Sequence, residues 1–133
     1  MASTATATFT IQYTPPSAPA NSGNATFTVT ASHNAQNVGQ IDVNPSDTSP
    51  TSFPIPFGSV AKARVLVIKN LLEQDIGVRL NAASADQFQI PPGGEFIYAG
   101  SAAPATTPIT EALIRTTAAP TATQSVQYWV LGD

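Results

Sequence analysis

The sequence has no cysteine, one histidine and few charges: five Lys and Arg and eight Asp and Glu in 133 residues. The missing thiol excludes disulfide scaffolds, thiolate metal centres and cysteine nucleophiles. A single imidazole excludes a multi-histidine metal site and leaves one side chain for acid–base work near neutral pH. Five cations and a net charge of −3 argue against nucleic acid as a partner, because phosphate binding relies on Lys and Arg. No apolar run approaches the roughly 18 residues that a membrane helix needs, so no membrane association is expected. The first residues, Met1 to Thr8, offer no basic segment and no continuous apolar one. A secretory signal is therefore not expected there, and the chain reads as made in a cytoplasm.

What the sequence does have is Ala, Thr and Ser, which together supply 49 of the 133 residues. Hydrophobic residues reach 42%, but the alanines among them add little core volume. Twelve Pro and eight Gly punctuate the chain without reaching the roughly 25–30% typical of low-complexity segments. The length suits one domain, 1–133, with enough surface to bury a core unaided.

Alternation dominates the start. Ala5, Ala7, Phe9, Ile11 and Tyr13 share one parity, and Thr6, Thr8, Thr10 and Gln12 the other. Ala25, Phe27, Val29 and Ala31 repeat the pattern against Thr26, Thr28, Thr30 and Ser32. Period two with β-branched and aromatic residues predicts two half-buried strands. Both carry Ala-Thr-Phe-Thr, as two antiparallel strands under one constraint would. Residues 33–58 are the least regular, with a short strand expected at 40–43. Phe53-Pro54-Ile55-Pro56-Phe57 alternates apolar residues with proline. Proline cannot donate to a central ladder, so this stretch is an edge strand, a lid on the core, or an extended arm within 44–60.

Beyond residue 63 the strands come faster. Val65–Ile68 is apolar on both parities, as a strand buried on both sides would be. Strands follow at Ile76–Leu80, Phe88–Ile90, Glu95–Tyr98, Ile109–Thr116 and Ser125–Leu131. Pro91-Pro92-Gly93-Gly94 reads as a hairpin connection between two of them. Tyr128 and Trp129 have opposite parity, so one faces the core and the other faces solvent or a neighbour. About eight or nine short strands and no convincing helix predict an all-β fold: an antiparallel β-sandwich, jelly-roll-like.

The C-terminal half adds a resemblance. Arg64-Val65-Leu66-Val67-Ile68-Lys69-Asn70, Ile76–Leu80, Phe88-Gln89-Ile90-Pro91-Pro92-Gly93-Gly94-Glu95-Phe96 and Val126–Leu131 form a grammar of strands and turns. It resembles that of small β-sandwich virion structural proteins of tailed bacteriophages, including capsid decoration (cement) proteins. The resemblance implies a homo-oligomer, a trimer being favoured, placed in the virion and bound to the major capsid protein or another virion protein. It would stabilise the shell by bridging capsomers. Two alternatives stand beside it: a tail, baseplate or head–tail component, and a carbohydrate-binding β-sandwich with Tyr98 or Trp129 as stacking residues.

Chemistry is thin. His33 has no neighbouring nucleophile or orienting acid and reads as a surface loop histidine. Asp42, Asn44 and Asp47 are oxygen ligands of the kind a hard cation takes, but Asp and Asn beside Pro45 more often make turns. Glu73, Asp75, Asp86, Glu95 and Glu111 could form a carboxylate pair only if the fold brought two together across a cleft. No enzyme activity, metal or cofactor is expected. The expected partner contacts are Phe53, Ile55 and Phe57 in the proline-spaced stretch, Trp129 in the last strand, and Phe9 and Ile11 in the first.

Overall fold

The computed structural model describes residues 2–13, 23–47, 50–100 and 107–133. Ten antiparallel strands form three sheets. The strands are β1 (Ser3–Tyr13), β2 (Gly23–His33), β3 (Ala35–Val43), β4 (Thr51–Pro54), β5 (Ala63–Asn70), β6 (Ile76–Leu80), β7 (Phe88–Ile90), β8 (Glu95–Ala99), β9 (Ala112–Thr116) and β10 (Gln124–Gly132). One four-stranded sheet runs β3-β10-β5-β8 and the other β4-β9-β6-β7. This interleaved order, with every successive pair from β3 to β10 except β6 and β7 passing between the two sheets, is that of an eight-stranded jelly roll. Among the described residues, strands β1 and β2 pair only with each other and make a separate two-stranded ribbon. Among the described residues there is no helix, and so none long and apolar enough to cross a membrane.

The core follows from alternation along each strand. Leu66 and Ile68 of β5 and Val126, Tyr128 and Val130 of β10 face inward from the first sheet. Ile76 and Val78 of β6, Ile90 of β7 and Ile114 of β9 meet them from the second. Ile55, Val60, Leu72 and Ile109 close the layer from the connections. Each fully buried branched side chain contributes roughly 1.5–3 kcal/mol relative to exposure.

Asn70 is the polar exception in this core. It is fully buried at the end of β5. Its Nδ2 donates to the carbonyls of Gln74 at 2.8 Å and Ile90 at 3.0 Å, and its Oδ1 accepts from the Leu72 amide at 2.9 Å. Its backbone also exchanges hydrogen bonds with Gly93 and Gly94. One side chain thus fixes the crossing from β5 to β6 and the end of β7.

Several sequence expectations change here. Residues 35–43 form one regular nine-residue strand, rather than a short one at 40–43. The missing apolar signal is Gly39, which lies under the Tyr128 ring: a Cβ there would come within 2.7 Å of the phenolic oxygen. Pro91–Gly94 does not join paired strands. β7 pairs with β6 and β8 with β5, so the turn carries the chain from one sheet to the other. Gly93 holds φ at +73°, a conformation that favours glycine. The rings of Phe88 and Phe96 still meet across this crossing, with centroids 4.9 Å apart.

The proline-spaced stretch belongs to the sandwich rather than to an extended arm. Thr51–Pro54 is β4, an edge strand pairing only with β9, where proline is tolerated. The amide of Ile55 donates to the Ala112 carbonyl at 2.9 Å. Ile55 is buried in the core, and Phe53 and Phe57 pack against it half-buried. The stretch is a lid.

Leu80 is followed by a turn in which Asn81 and Ala82 both have positive φ, 53° and 56°. Asn81 is held there by its side chain, whose Nδ2 donates to Pro108 O at 2.9 Å and whose Oδ1 accepts from Thr110 N at 2.9 Å. Ala82 has no such excuse and carries left-handed strain. Replacing Ala82 with Gly should raise stability by about 0.5–1 kcal/mol. In thermal unfolding this is a rise of a few degrees; an unchanged or lower midpoint would contradict the strain.

Candidate assembly surface

The ribbon is the most unusual part of the molecule. Its eleven residue pairs run from Ser3 opposite His33 to Tyr13 opposite Gly23. At about 3.4 Å per residue, that is roughly 35 Å of extended chain. The register places the repeated segments against each other, with Phe9 opposite Phe27, Thr8 opposite Thr28 and Thr10 opposite Thr26. Alternation therefore sorts the side chains onto two faces. One is a ladder of Thr4, Thr6, Thr8 and Thr10 opposite Ser32, Thr30, Thr28 and Thr26. Hydroxyl pairs approach at 3.4 Å (Thr6 and Thr30) and 3.3 Å (Thr10 and Thr26). The other face is apolar: Ala5, Ala7, Phe9 and Ile11 opposite Ala31, Val29, Phe27 and Ala25.

Only the root of this apolar face is covered by the molecule itself. β2 lies against β5 and β10, and near its end Ala31 is 1% exposed and His33 is also buried. The Asn34 amide then donates to the Gly132 carbonyl at 2.9 Å, anchoring the turn into β3. Farther out, Ile11 is 56% and Phe27 57% exposed, while Phe9 is half-buried. A two-stranded hairpin alone is marginal in water and needs a third layer or a packing partner. Large exposed side chains on one face mark a contact surface.

A second apolar strip lies on the outer face of the first sheet. Trp129 stands opposite Val38 on one side and Val67 on the other, and Val67 stands opposite Ile97. The four form a continuous row across all four strands. Val38 is 51% exposed and Ile97 is exposed too, with Trp129 and Val67 half-buried. The row on one side holds Val65 and Leu131, and there Val65 is already buried. The row on the other side is polar: Gln40, Gln127, Lys69 and Glu95, with Lys69 and Glu95 at 3.4 Å.

The sequence-predicted contact residues thus divide. Ile11 and Trp129 lie on uncovered or half-covered outer surfaces, Phe9 shares the ribbon's apolar face, Phe53 and Phe57 serve mainly the core, and Ile55 is enclosed by it. Val38, Ile97 and Phe27 were missed as contacts. Val38 sits in the polar run Gln36-Asn37-Val38-Gly39-Gln40, and no single-strand pattern reveals that four strands align their outward residues.

The other candidate chemistry resolves into structure. His33 is buried beneath the ribbon root rather than in a surface loop, with Nε2 3.3 Å from Gln36 Oε1 and Nδ1 unpaired. Asp47 accepts from the Asn44 amide at 2.7 Å, Asn44 Oδ1 accepts from Thr123 at 3.0 Å, and Asp42 accepts from Gln40 at 2.9 Å. Asn44 and Asp47 tie a turn together while Asp42 is bonded along β3, and no cluster of metal-ligating side chains occurs among the described residues. Tyr98 and Tyr128 face inward and Trp129 outward, so they do not build one stacking platform. An open groove of about 390 Å³ lies on the second sheet, lined by Ile55, Phe57 and Leu113 with Arg79 and Glu111.

Asp86 is the most perturbed acid. Its loop folds back over β6, and its carboxylate lies above Gly77, where any Cβ would overlap it. Arg79 Nε donates to Oδ1 at 2.7 Å, and Arg115 grips both oxygens. The Arg115 hydrogen bonds lower its pKa most; burial opposes them, Arg79 assists, and the result is about 2 against 3.8. The group is therefore more acidic folded than unfolded. It stabilises the fold above pH 4, and this is lost as pH falls towards 2. The shift corresponds to about 2 kcal/mol. The thermal midpoint should drop over that interval, and Asp86→Asn should flatten that part of the profile while lowering the midpoint at pH 7. A wild-type midpoint that is constant from pH 4 to 2 would contradict the assignment.

Compared with family models, curated proteins and solved structures, the chain has no match.

Proposed function

We propose that this chain is a structural subunit of a tailed-phage virion, acting as a capsid decoration or cement protein. It joins neighbouring shell units by surface contact and performs no chemistry. The observation that carries this reading is the ribbon, some 35 Å long by its strand rise, uncharged from Ser3 to Ser32 over its described length and apolar along one face. Such an element has little reason to exist on a free monomer, where its edges and its apolar face invite association. On an assembled shell those surfaces are covered.

Two further features support it. The eight-stranded jelly roll is an architecture that viral capsid proteins use, although lectins use it too. Two of the side chains with chemical potential are committed elsewhere: Asp86 to two arginines and His33 to the ribbon root. The partners are then the major capsid protein and other copies of this chain, a trimer being favoured, with apolar burial inside a polar rim.

Mass spectrometry of purified particles from the source tests this. The expected result is the chain at a copy number comparable to that of the major shell protein. A few copies per particle would move it to the tail, baseplate or head–tail junction. Absence from particles, together with glycan binding by the isolated protein, would replace the reading with the carbohydrate-binding one.

A further inference from the structure

We infer that the ribbon of one copy docks, apolar face down, on the Val38–Trp129–Val67–Ile97 row of a neighbouring copy. The inference rests on the assembly reading above and names the partner of the ribbon: a second copy of this chain.

Chemistry argues for this pairing. The ribbon has no charged residue from Ser3 to Tyr13 or from Gly23 to Ser32, so its partner must offer an uncharged apolar strip. The outer row of the first sheet is such a strip, and all four of its side chains are apolar. The ion-paired row of Lys69 and Glu95 borders it, as a rim borders an interface core.

Continuity argues the same way. The root of the ribbon already packs on this sheet, burying Ala31, His33 and Val65. Apolar ribbon against apolar sheet is thus a contact the molecule makes once within itself. Beyond the root the ribbon leaves its own sheet, as the exposure of Phe27 shows, and the neighbouring row is left open.

Area sets the stoichiometry. The row crosses four strands about 4.8 Å apart, roughly 15–20 Å with its side chains, so a ribbon about 10 Å wide covers roughly 150–200 Å² of it. That is far under the roughly 800 Å² per partner of a stable interface. If every copy donates one ribbon and receives one, each commits roughly 300–400 Å², still under half of that size. A single one-way contact is therefore not enough: the contacts must close into a ring or reciprocal pair and be joined by contacts to other shell units.

The absence of cysteine makes the test clean. Phe27→Cys and Ile97→Cys chains are purified separately, checked for wild-type circular dichroism, mixed and oxidised. The expected result is a disulfide-linked dimer containing one of each, about tenfold more abundant than from a mixture of Thr28→Cys with Ile97→Cys, which probes the hydroxyl face. Equal yields from the two mixtures, linkage of Phe27→Cys only to itself, or no linkage would each overturn the inference. Particle incorporation of the wild-type chain is scored separately. Linkage without incorporation rejects the virion reading and keeps the docking; incorporation without linkage does the reverse.

Discussion

Ile11→Asp combined with Phe27→Asp should leave the jelly roll folded and abolish self-association. Both side chains are more than half exposed, so the folded monomer loses little by their replacement. Their value lies in what covers them. Burying two large apolar side chains contributes roughly 3–6 kcal/mol in all, which corresponds to a loss of about a hundredfold or more in affinity. Two buried carboxylates would add a desolvation penalty. Light scattering should report the monomer mass for the variant at concentrations where the wild type is oligomeric, with unchanged β-sheet circular dichroism. A variant that still assembles would remove the ribbon from the account. A variant that unfolds would mean the ribbon is part of the core, and Thr10→Asp with Thr28→Asp, the matching diagonal pair on the hydroxyl face, gives the comparison: it should fold and assemble.

Asn70→Leu should be the most damaging single change to the fold. The new side chain is of similar size, but three backbone groups lose their partner: the Leu72 amide and the carbonyls of Gln74 and Ile90. An unsatisfied buried polar group costs about 1–3 kcal/mol, so three cost about 3–9 kcal/mol, a large share of the 5–15 kcal/mol that holds a typical domain together. A midpoint lowered by at least about 10 °C is expected in thermal unfolding. A loss under about 1 kcal/mol for Asn70→Leu would show that the three groups find other partners.

Much of the fold is legible in single strands. The alternation of residues 5–13 and 25–32 specifies both strands, and the shared Ala-Thr-Phe-Thr points to their antiparallel pairing, while the register that puts Phe9 against Phe27 is seen in the structure. The double-parity run Val65–Ile68 reflects a strand buried inward by the core and outward, at Val65, beneath the ribbon. The opposite parity of Tyr128 and Trp129 sends one inward and one outward.

What escaped reading depends on relations between strands. Gly39 hides a strand because the phenol of Tyr128, 89 residues away in sequence, fills the space its side chain would take. Pro91–Gly94 looks like a hairpin because turn chemistry does not say whether the next strand returns to the same sheet. Phe53, Ile55 and Phe57 leave lid and arm open because proline marks an edge, and an edge strand and a free arm share that signal. The ribbon poses the converse problem. Alternation states that one face is apolar, and leaves open whether the same chain or another covers it. The outer row through Trp129 is invisible to any one-strand pattern, because each strand supplies a single residue to it.

Electron cryomicroscopy of intact particles from the source shows the assembly itself. The expected result is jelly-roll density in many symmetric copies on the head shell, with each ribbon extending from its own sandwich onto a neighbour. Particles whose shell and tail lack this density, or whose copies keep the ribbon free in solvent, would contradict it.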